Sequence, residues 1–312
     1  MKLTIIIPTH NEKENIKITI EELIAVVDSI SIVNELNILV VDDHSSDKTY
    51  EIVEQMDDPR IQCFRLSKRG GSHIALRAGL KQSMGDAVLC ISADGQDDPS
   101  CLSEMLEKCS TGTNIVWALH NRRTEESWFA RKTAQLFYAV LYWLSDTENR
   151  KIDLSHANFF LLDKAVINAV NSCPERNTSL FGLIAWLGFN QDYIEYERLP
   201  RRLGKSKWGL RSRFRLARDW IAAFSGLPLK LMSLVGFFVA LSGFLYALYV
   251  IFNAYSGNPI GGWSSIMVAV LVLGGIQMIM LGVVGEYLWR NLDESRKRPL
   301  YFIEKKTPKN LD

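Results

Sequence analysis

Residues 86–99 read DAVLCISADGQDDP, an apolar run that breaks abruptly into an acidic knot. The run is short, continuous and bounded by polar residues, as expected of a strand buried on both faces. Asp98 followed by Pro99 fits a helix start, with an N-cap side chain and proline at the first helical position. Asp94 and Gln96 instead project from the loop itself. Mg²⁺ and Mn²⁺ take hard oxygen ligands, and Mg²⁺ commonly uses one or two protein carboxylates with substrate phosphates and water. On the residues alone, SADGQDDP reads as a cation site, as a helix cap, or as both.

The same strand–loop–helix unit recurs on either side. LTIII (3–7) leads through PTHNE to a helix at about Glu14–Asp28. NILVV (37–41) leads through DDHSSDKT to a helix at Lys48–Gln55. IQCFRL (61–66) leads through a glycine pair to a helix at Ser72–Ser83, and a helix at Pro99–Lys108 precedes the strand NIVWAL (114–119). Alternating buried strands and helices predict an α/β domain with a Rossmann-like, mostly parallel sheet. Ligands of such sheets bind beyond the carboxyl ends of the strands. Pro8–Glu12, Asp42–Asp47 and Ser92–Asp98 all fall there and are expected to share one crevice.

Each loop carries groups of its own. Asp42 and Asp43, adjacent at a strand end, can accept hydrogen bonds from ribose hydroxyls and a base N–H, whereas Asp47 suits a helix cap. Thr9 and Glu12 have capping-box spacing, so Glu12 is open to a structural or a binding role. In RGGSHIALRAG (69–79) the paired glycines could bring backbone N–H groups to a phosphate.

The 36 basic and 35 acidic residues leave a formal charge of +1, so there is no overall polyanion-binding bias. The five cysteines form no CxxC pair, which suits reduced thiols in a cytosolic domain. MKLTIIIPTHNE meets Pro8 and Asn11 too soon for a signal peptide, and the N-terminal part is expected to stay cytoplasmic.

From Leu231 to Gly285 the chain has no Asp, Glu, Lys, Arg or His. SGNPIGGWSS (256–265) divides this tract into runs of about 231–253 and 264–286, each near the roughly 20 residues a membrane-crossing helix needs. Arg211, Arg213, Arg215, Arg218 and Lys230 precede the hairpin and Arg290, Arg296, Lys297 and Arg298 follow it, placing both ends on the cytoplasmic side. Leu210, Phe214, Ala217, Ile221 and Phe224 make one apolar helical stripe flanked by arginines, which suits a helix lying in the membrane interface. The aromatic-rich stretch 127–145 reads as a further helix. The expected division is the α/β domain over 1–209, an interfacial helix over 210–228, a two-helix transmembrane hairpin over 229–288 and a cytoplasmic tail over 289–312. Nucleic-acid binding is disfavoured, because the basic residues cluster beside the hydrophobic hairpin.

PTHNE, VVDDHSSDKT and ADGQDDP together resemble the nucleotide-sugar half of family-2 GT-A glycosyltransferases. RRLGKSK (201–207) resembles the R-x-x-G-x-S-K segment of that family. GEYLWRNLDESRKRPLYFI (285–303) is similar to the ending of bacterial polyprenyl-phosphate glycosyltransferases, relatives of dolichol-phosphate-mannose synthase. The resemblance implies that Pro8, Asn11, Glu12 and Asp43 line a nucleoside site with Asp42 beside them. Asp94 and Gln96 would hold Mg²⁺ or Mn²⁺ on the donor diphosphate, while Arg201, Ser206 and Lys207 would meet phosphates, the lipid phosphate included. Asp153 would orient acceptor or sugar. Ser92 stands where the family usually has Asp, Arg69 near its usual Asn, and Asn158 where its candidate base would lie.

A phosphate monoester acceptor has a second pKa near 6 and is already anionic at pH 7, so the missing base at Asn158 is not decisive. The implied activity is inverting transfer of one sugar from a nucleotide-sugar, a UDP-sugar such as UDP-glucose, to undecaprenyl phosphate. The implied place is the cytoplasmic face of a bacterial inner membrane, in a multi-pass chain with the lipid bilayer as partner. The partners implied are the nucleotide-sugar donor, the polyprenyl phosphate and the bilayer, with a homo-oligomer also open. The rival reading is a non-catalytic GT-A scaffold that binds nucleotide-sugar or a partner transferase. A processive polysaccharide synthase would need a Q-x-x-R-W motif, which the sequence lacks.

Overall fold

The computed structural model describes residues 1–120, 157–176, 178–199, 227–256 and 261–307. The first half follows the expected alternation: β1 (Lys2–Thr9), α1 (Ile16–Asp28), β2 (Glu35–Asp42), α2 (Thr49–Glu54), β3 (Ile61–Leu66), α3 (Ser72–Gln82) and β4 (Ala87–Cys90). A single 3₁₀ turn at Pro99–Cys101 opens α4 (Leu102–Ser110), and β5 (Ile115–His120) follows. Then come β6 (Ala157–Asp163), α5 (Lys164–Ser172), α6 (Leu180–Trp186), β7 (Gln191–Tyr196), α7 (Leu227–Tyr255), α8 (Trp263–Ser295) and β8 (Ile303–Lys306).

The eight strands form one sheet in the order β7-β5-β6-β4-β1-β2-β3-β8. Pairings of β1 with β2 and β4, of β2 with β3, and of β5 with β7 are parallel. The sheet is therefore mostly parallel, as expected, with a correction to its continuity. β6 lies antiparallel between β4 and β5, so NIVWAL does not adjoin DAVLCI. NFFLLD has the unbroken apolarity of a doubly buried strand, but apolar runs are equally at home in core helices. β8 is the other antiparallel strand. It brings the chain back from the hairpin to the free edge of β3.

Helices cover both faces, as a parallel sheet requires. Successive β1 side chains point to opposite sides. Leu3, Ile5 and Ile7 pack with Ile16, Ile20 and Leu23 of α1, while Ile6 packs with Ala75, Ala78 and Leu80 of α3. The α3 helix runs so close to β1 that a Cβ on Gly79 would lie 2.5 Å from Ile6 Cγ2.

His73 of α3 accepts the Leu180 N–H on Nδ1 at 3.1 Å, tying α3 to α6 and leaving the ring proton on Nε2. Its partly buried ring meets Phe181 edge-on, and desolvation pulls the imidazole pKa from 6.5 down to about 4. The unfolded chain takes up this proton near pH 6.5 and the folded chain only near 4. This contribution to stability is complete above pH 6.5 and is lost as pH falls through that window, by at most about 3 kcal/mol. Denaturation midpoints measured from pH 7 to 4 should show this slope, and His73→Gln should flatten it.

The α7 and α8 helices are each long and apolar enough, by length and composition, to cross a membrane. They approach each other where Gly236 faces Met280. Their large apolar side chains lie bare, Phe237 at 62% and Ile279 at 70% exposure. Both helices outrun the apolar stretches read from sequence, α8 by carrying on through Glu286 to Ser295. Residues 127–145 and 210–226, expected as helices, lie outside the described residues, and Leu227 and Pro228 already belong to α7.

Candidate functional site

The loops after β1 and β2 are stitched together at their strand ends. Asn11 turns in the left-handed region at φ 56°. Its N–H donates to Ser45 Oγ at 2.9 Å, and its side-chain oxygen accepts the Ser46 N–H at 2.8 Å. The N–H groups of Glu12 and Lys13 donate to Thr49 Oγ1 at 3.0 Å and to Asp47 Oδ2 at 3.1 Å. Pro8, next to last in β1, lies beside Val41 of β2.

These bonds correct the capping-box reading of Thr9 and Glu12. The α1 helix starts only at Ile16, with Asn15 at its N-cap position and no side-chain cap bond. Thr9 Oγ1 reaches the Val41 carbonyl, and Glu12 Oε2 accepts the Asn15 amide at 2.8 Å. The loop cannot begin the helix at Thr9, because its backbone donors turn across to the β2 loop. Asp47 likewise accepts the Thr49 N–H at 3.1 Å, while Lys48, in the left-handed region, holds the N-cap position of α2.

Asp42 and Asp43 diverge. Asp42 is fully buried and accepts from the backbone and hydroxyl of Ser45, with Arg65 Nη1 3.7 Å away. Burial raises its pKa above the ordinary carboxylate value, against the pull of Ser45 and Arg65. Asp43, 3% exposed, accepts the N–H groups of Gly70 at 2.6 Å and Gly71 at 2.8 Å. The glycine donors expected to face a phosphate are thus engaged by Asp43. Gly71 at φ 91° makes the turn that presents both of them.

Beyond β4, the Ser92 hydroxyl sits between two carboxylates, 2.8 Å from Asp94 Oδ1 and 2.6 Å from Asp97 Oδ2. Asp97 is buried and also accepts the Tyr196 hydroxyl at 2.7 Å. Asp98 caps the turn through Ser100 N–H at 2.9 Å, as read from sequence. Thr19 of α1 donates to the Ala93 carbonyl at 3.1 Å, bracing this loop against α1.

Asp94 and Gln96 share a loop, and Asp94 Oδ1 accepts the Gln96 N–H at 3.2 Å. The Gln96 side chain, however, is turned to the segment after β7. Its oxygen accepts from Arg198 at 3.0 Å, and its amide donates to the Leu199 carbonyl at 3.2 Å. Among the described residues no three His, Cys, Asp or Glu side chains gather to hold a metal by themselves. One half-buried carboxylate with hydroxyl and amide oxygens nearby is a hard donor set. It fits Mg²⁺ or Mn²⁺ only where substrate phosphates complete the shell. To ligate, Gln96 would have to leave Arg198.

Asp153, Arg201, Ser206 and Lys207 lie outside the described residues. Asn158 stands in β6 where the pairing with β5 skips from Phe159 to Ala157. Sequence reasoning missed Ser45, Thr49, Asp97 and Tyr196. Ser45 and Thr49 were visible as the polar residues of DDHSSDKT; nothing local marks Tyr196, which arrives from a distant edge strand.

Residues 4–167 match the glycosyl transferase family 2 model, and residues 227–290 match the GtrB C-terminal hairpin. An uncharacterized glycosyltransferase of Bacillus subtilis, YkcC, is 36% identical over 98% of this chain and 94% of its own. The bactoprenol glucosyl transferase of Shigella phage SfV is 33% identical over 99% of this chain and all of its own. Among solved structures, glucosyl-3-phosphoglycerate synthase of Mycobacterium tuberculosis is similar at 18% identity and TM-score 0.49, over 71% of this chain and 77% of that one.

Proposed function

Because the chain belongs to glycosyl transferase family 2 and is a glycosyltransferase carrying a GtrB-type hairpin, we propose that it moves one sugar from a nucleotide-sugar to a polyprenyl phosphate at a membrane surface. The observation that carries the reading is the union of two features in one chain. Acidic loops follow the carboxyl ends of β1, β2 and β4, and the same chain holds a hairpin with bare apolar side chains. A transferase with a water-soluble acceptor has no use for the second. Relatives similar over nearly the whole chain are named as acting on bactoprenol and transferring glucose, which favours undecaprenyl phosphate and UDP-glucose here.

In this reading Pro8, Asn11, Glu12 and Asp43 form the nucleoside wall with the buried Asp42 beside them, and Asp94 with Gln96 lies under the diphosphate. A divalent cation bound there would supply charge stabilisation to the departing diphosphate. Arg201, Ser206 and Lys207 would hold the acceptor phosphate. An acceptor oxygen attacks the anomeric carbon. The bond from that carbon to the diphosphate breaks, and the nucleotide leaves with the electron pair, so a single displacement inverts configuration. No proton needs removal, since the monoester is ionised at pH 7. The site therefore needs positioning and charge stabilisation more than a base at Asn158.

The test is purified protein in bilayers with undecaprenyl phosphate and a panel of labelled UDP-, GDP- and CDP-sugars, with and without EDTA. A chelation-sensitive, acid-labile lipid-linked sugar from UDP-glucose is expected. Nucleotide binding without product from any donor would overturn transfer in favour of a scaffold.

A further inference from the structure

The α8 helix continues past Gly285, where the uncharged tract ends, to Ser295. That extension rises roughly 15 Å beyond the apolar run, at about 1.5 Å per residue. It ends on the catalytic domain. Arg176, in the loop between α5 and α6, is gripped there three ways. Its Nε lies 3.3 Å from Asp293 Oδ2, its backbone N–H donates to Glu294 Oε1 at 2.6 Å, and Nη1 donates to the Arg298 carbonyl at 2.8 Å. The Arg176 and Asp293 side chains are only 20% and 23% exposed, so this ion pair is better shielded than an ordinary surface one.

The loop that carries Arg176 is itself anchored. Arg77 of α3, 9% exposed, donates to the carbonyls of Glu175 and Cys173. The α3 helix begins at the glycines held by Asp43. A second attachment comes from β8 and the residue after it, Thr307, which exchanges hydrogen bonds with Cys63 at 2.9 and 3.0 Å. Glu304 also reaches Arg65 at 3.2 Å, beside Asp42. Two separate attachments prevent the domain from swinging about either one.

Resting on the membrane-acceptor reading above, we propose that Arg176 is a positioning residue for the lipid acceptor. By locking the α8 stalk to the domain, it fixes the height and tilt of the site over the bilayer. A polyprenyl phosphate is confined to the headgroup plane and cannot rise to meet a tilted site. Misplacement of about 1 Å can cost 10²-fold in rate. A short, water-soluble prenyl phosphate diffuses to the site from any direction and is indifferent to tilt.

The experiment compares wild type, Arg176→Ala, Arg176→Lys and Asp293→Ala in nanodiscs. Each is given bilayer-embedded undecaprenyl phosphate or a water-soluble short-chain prenyl phosphate, and UDP affinity is measured alongside. Arg176→Ala is expected to lower kcat/KM for the embedded lipid by about 10- to 100-fold. Turnover of the short acceptor and UDP affinity should stay within about twofold of wild type. Arg176→Lys, which keeps a cation beside Asp293, should recover part of the loss. Equal losses on both acceptors, or none on either, would overturn the proposal. Should Arg176→Ala lose UDP binding through misfolding, Asp293→Ala decides instead, since it removes the carboxylate that pairs with Arg176 Nε while leaving Arg176 in place, and it is read by the same ratio. A wild type that uses neither acceptor takes the membrane-acceptor reading down with this one, whereas a wild type active on both confines any failure to Arg176.

Discussion

Asp94→Asn is expected to cut sugar transfer by on the order of 10³-fold while leaving the fold intact. Asparagine retains an oxygen that can accept from Ser92 and from the Gln96 N–H, the two bonds Asp94 Oδ1 makes at 2.8 and 3.2 Å. It removes the charge of a half-buried carboxylate in the loop after β4, where Asp97 is buried against Tyr196 and Asp98 caps a helical turn. Charge stabilisation by a metal is worth several kcal/mol in such reactions, and about 1.36 kcal/mol is tenfold in rate. Mn²⁺ binding in the presence of UDP, followed by electron paramagnetic resonance, should weaken in parallel with turnover. Asp98→Asn is the matched control. It alters the cap on Ser100, at a cost of about 1 kcal/mol in stability or less, and should leave Mn²⁺ binding unchanged. Full turnover in Asp94→Asn would remove this loop from the chemistry.

The contrast between Asp94 and Asp98 was legible in SADGQDDP, because proline after an acid marks a helix start through local backbone rules. The strands LTIII, NILVV, IQCFRL and DAVLCI were legible for the same kind of reason. A buried strand between helices leaves a continuous apolar run, and its carboxyl end is where polar residues accumulate. The antiparallel strands were not. β8 consists of Ile303, Glu304, Lys305 and Lys306, all exposed, and exists because the edge of β3 offers backbone partners. Edge pairing of this sort carries no side-chain periodicity. Tyr196 and Arg198 were hidden likewise, since only the sheet order brings β7 and the segment after it over the loop following β4. Thr9 and Glu12 misled for the opposite reason. Their spacing satisfied a local rule that long-range bonds to Ser45, Asp47 and Thr49 overrode.

Asp43→Ala is expected to lower affinity for the nucleotide by about 100-fold and to destabilise the folded domain by about 2–3 kcal/mol. Asp43 serves structure and binding at once. As structure, its carboxylate binds the N–H groups of Gly70 and Gly71. Such charge-assisted bonds contribute roughly 1.5–3 kcal/mol each, reduced where water can replace the partner. Gly70 is exposed, so the loop would rehydrate in part and the stability loss should fall short of two full bonds. As a site, Asp43 adjoins the stitched β1 loop, with its own N–H on the Thr9 carbonyl at 2.8 Å and His10 Nδ1 3.1 Å from its carbonyl oxygen. Each carboxylate oxygen keeps a lone pair beyond the glycine bond, and a nucleoside donor can use it. Asp43→Asn separates the two roles. It keeps one acceptor for the loop, so stability should recover by about half, but it turns an NH₂ group toward donors on the other side and should recover little affinity. Calorimetry with UDP, beside denaturation of the same samples, reads both quantities. Loss of stability with unchanged UDP affinity in the folded fraction would make Asp43 a loop anchor alone, and the nucleoside wall would then have to be sought on Asn11 and Glu12.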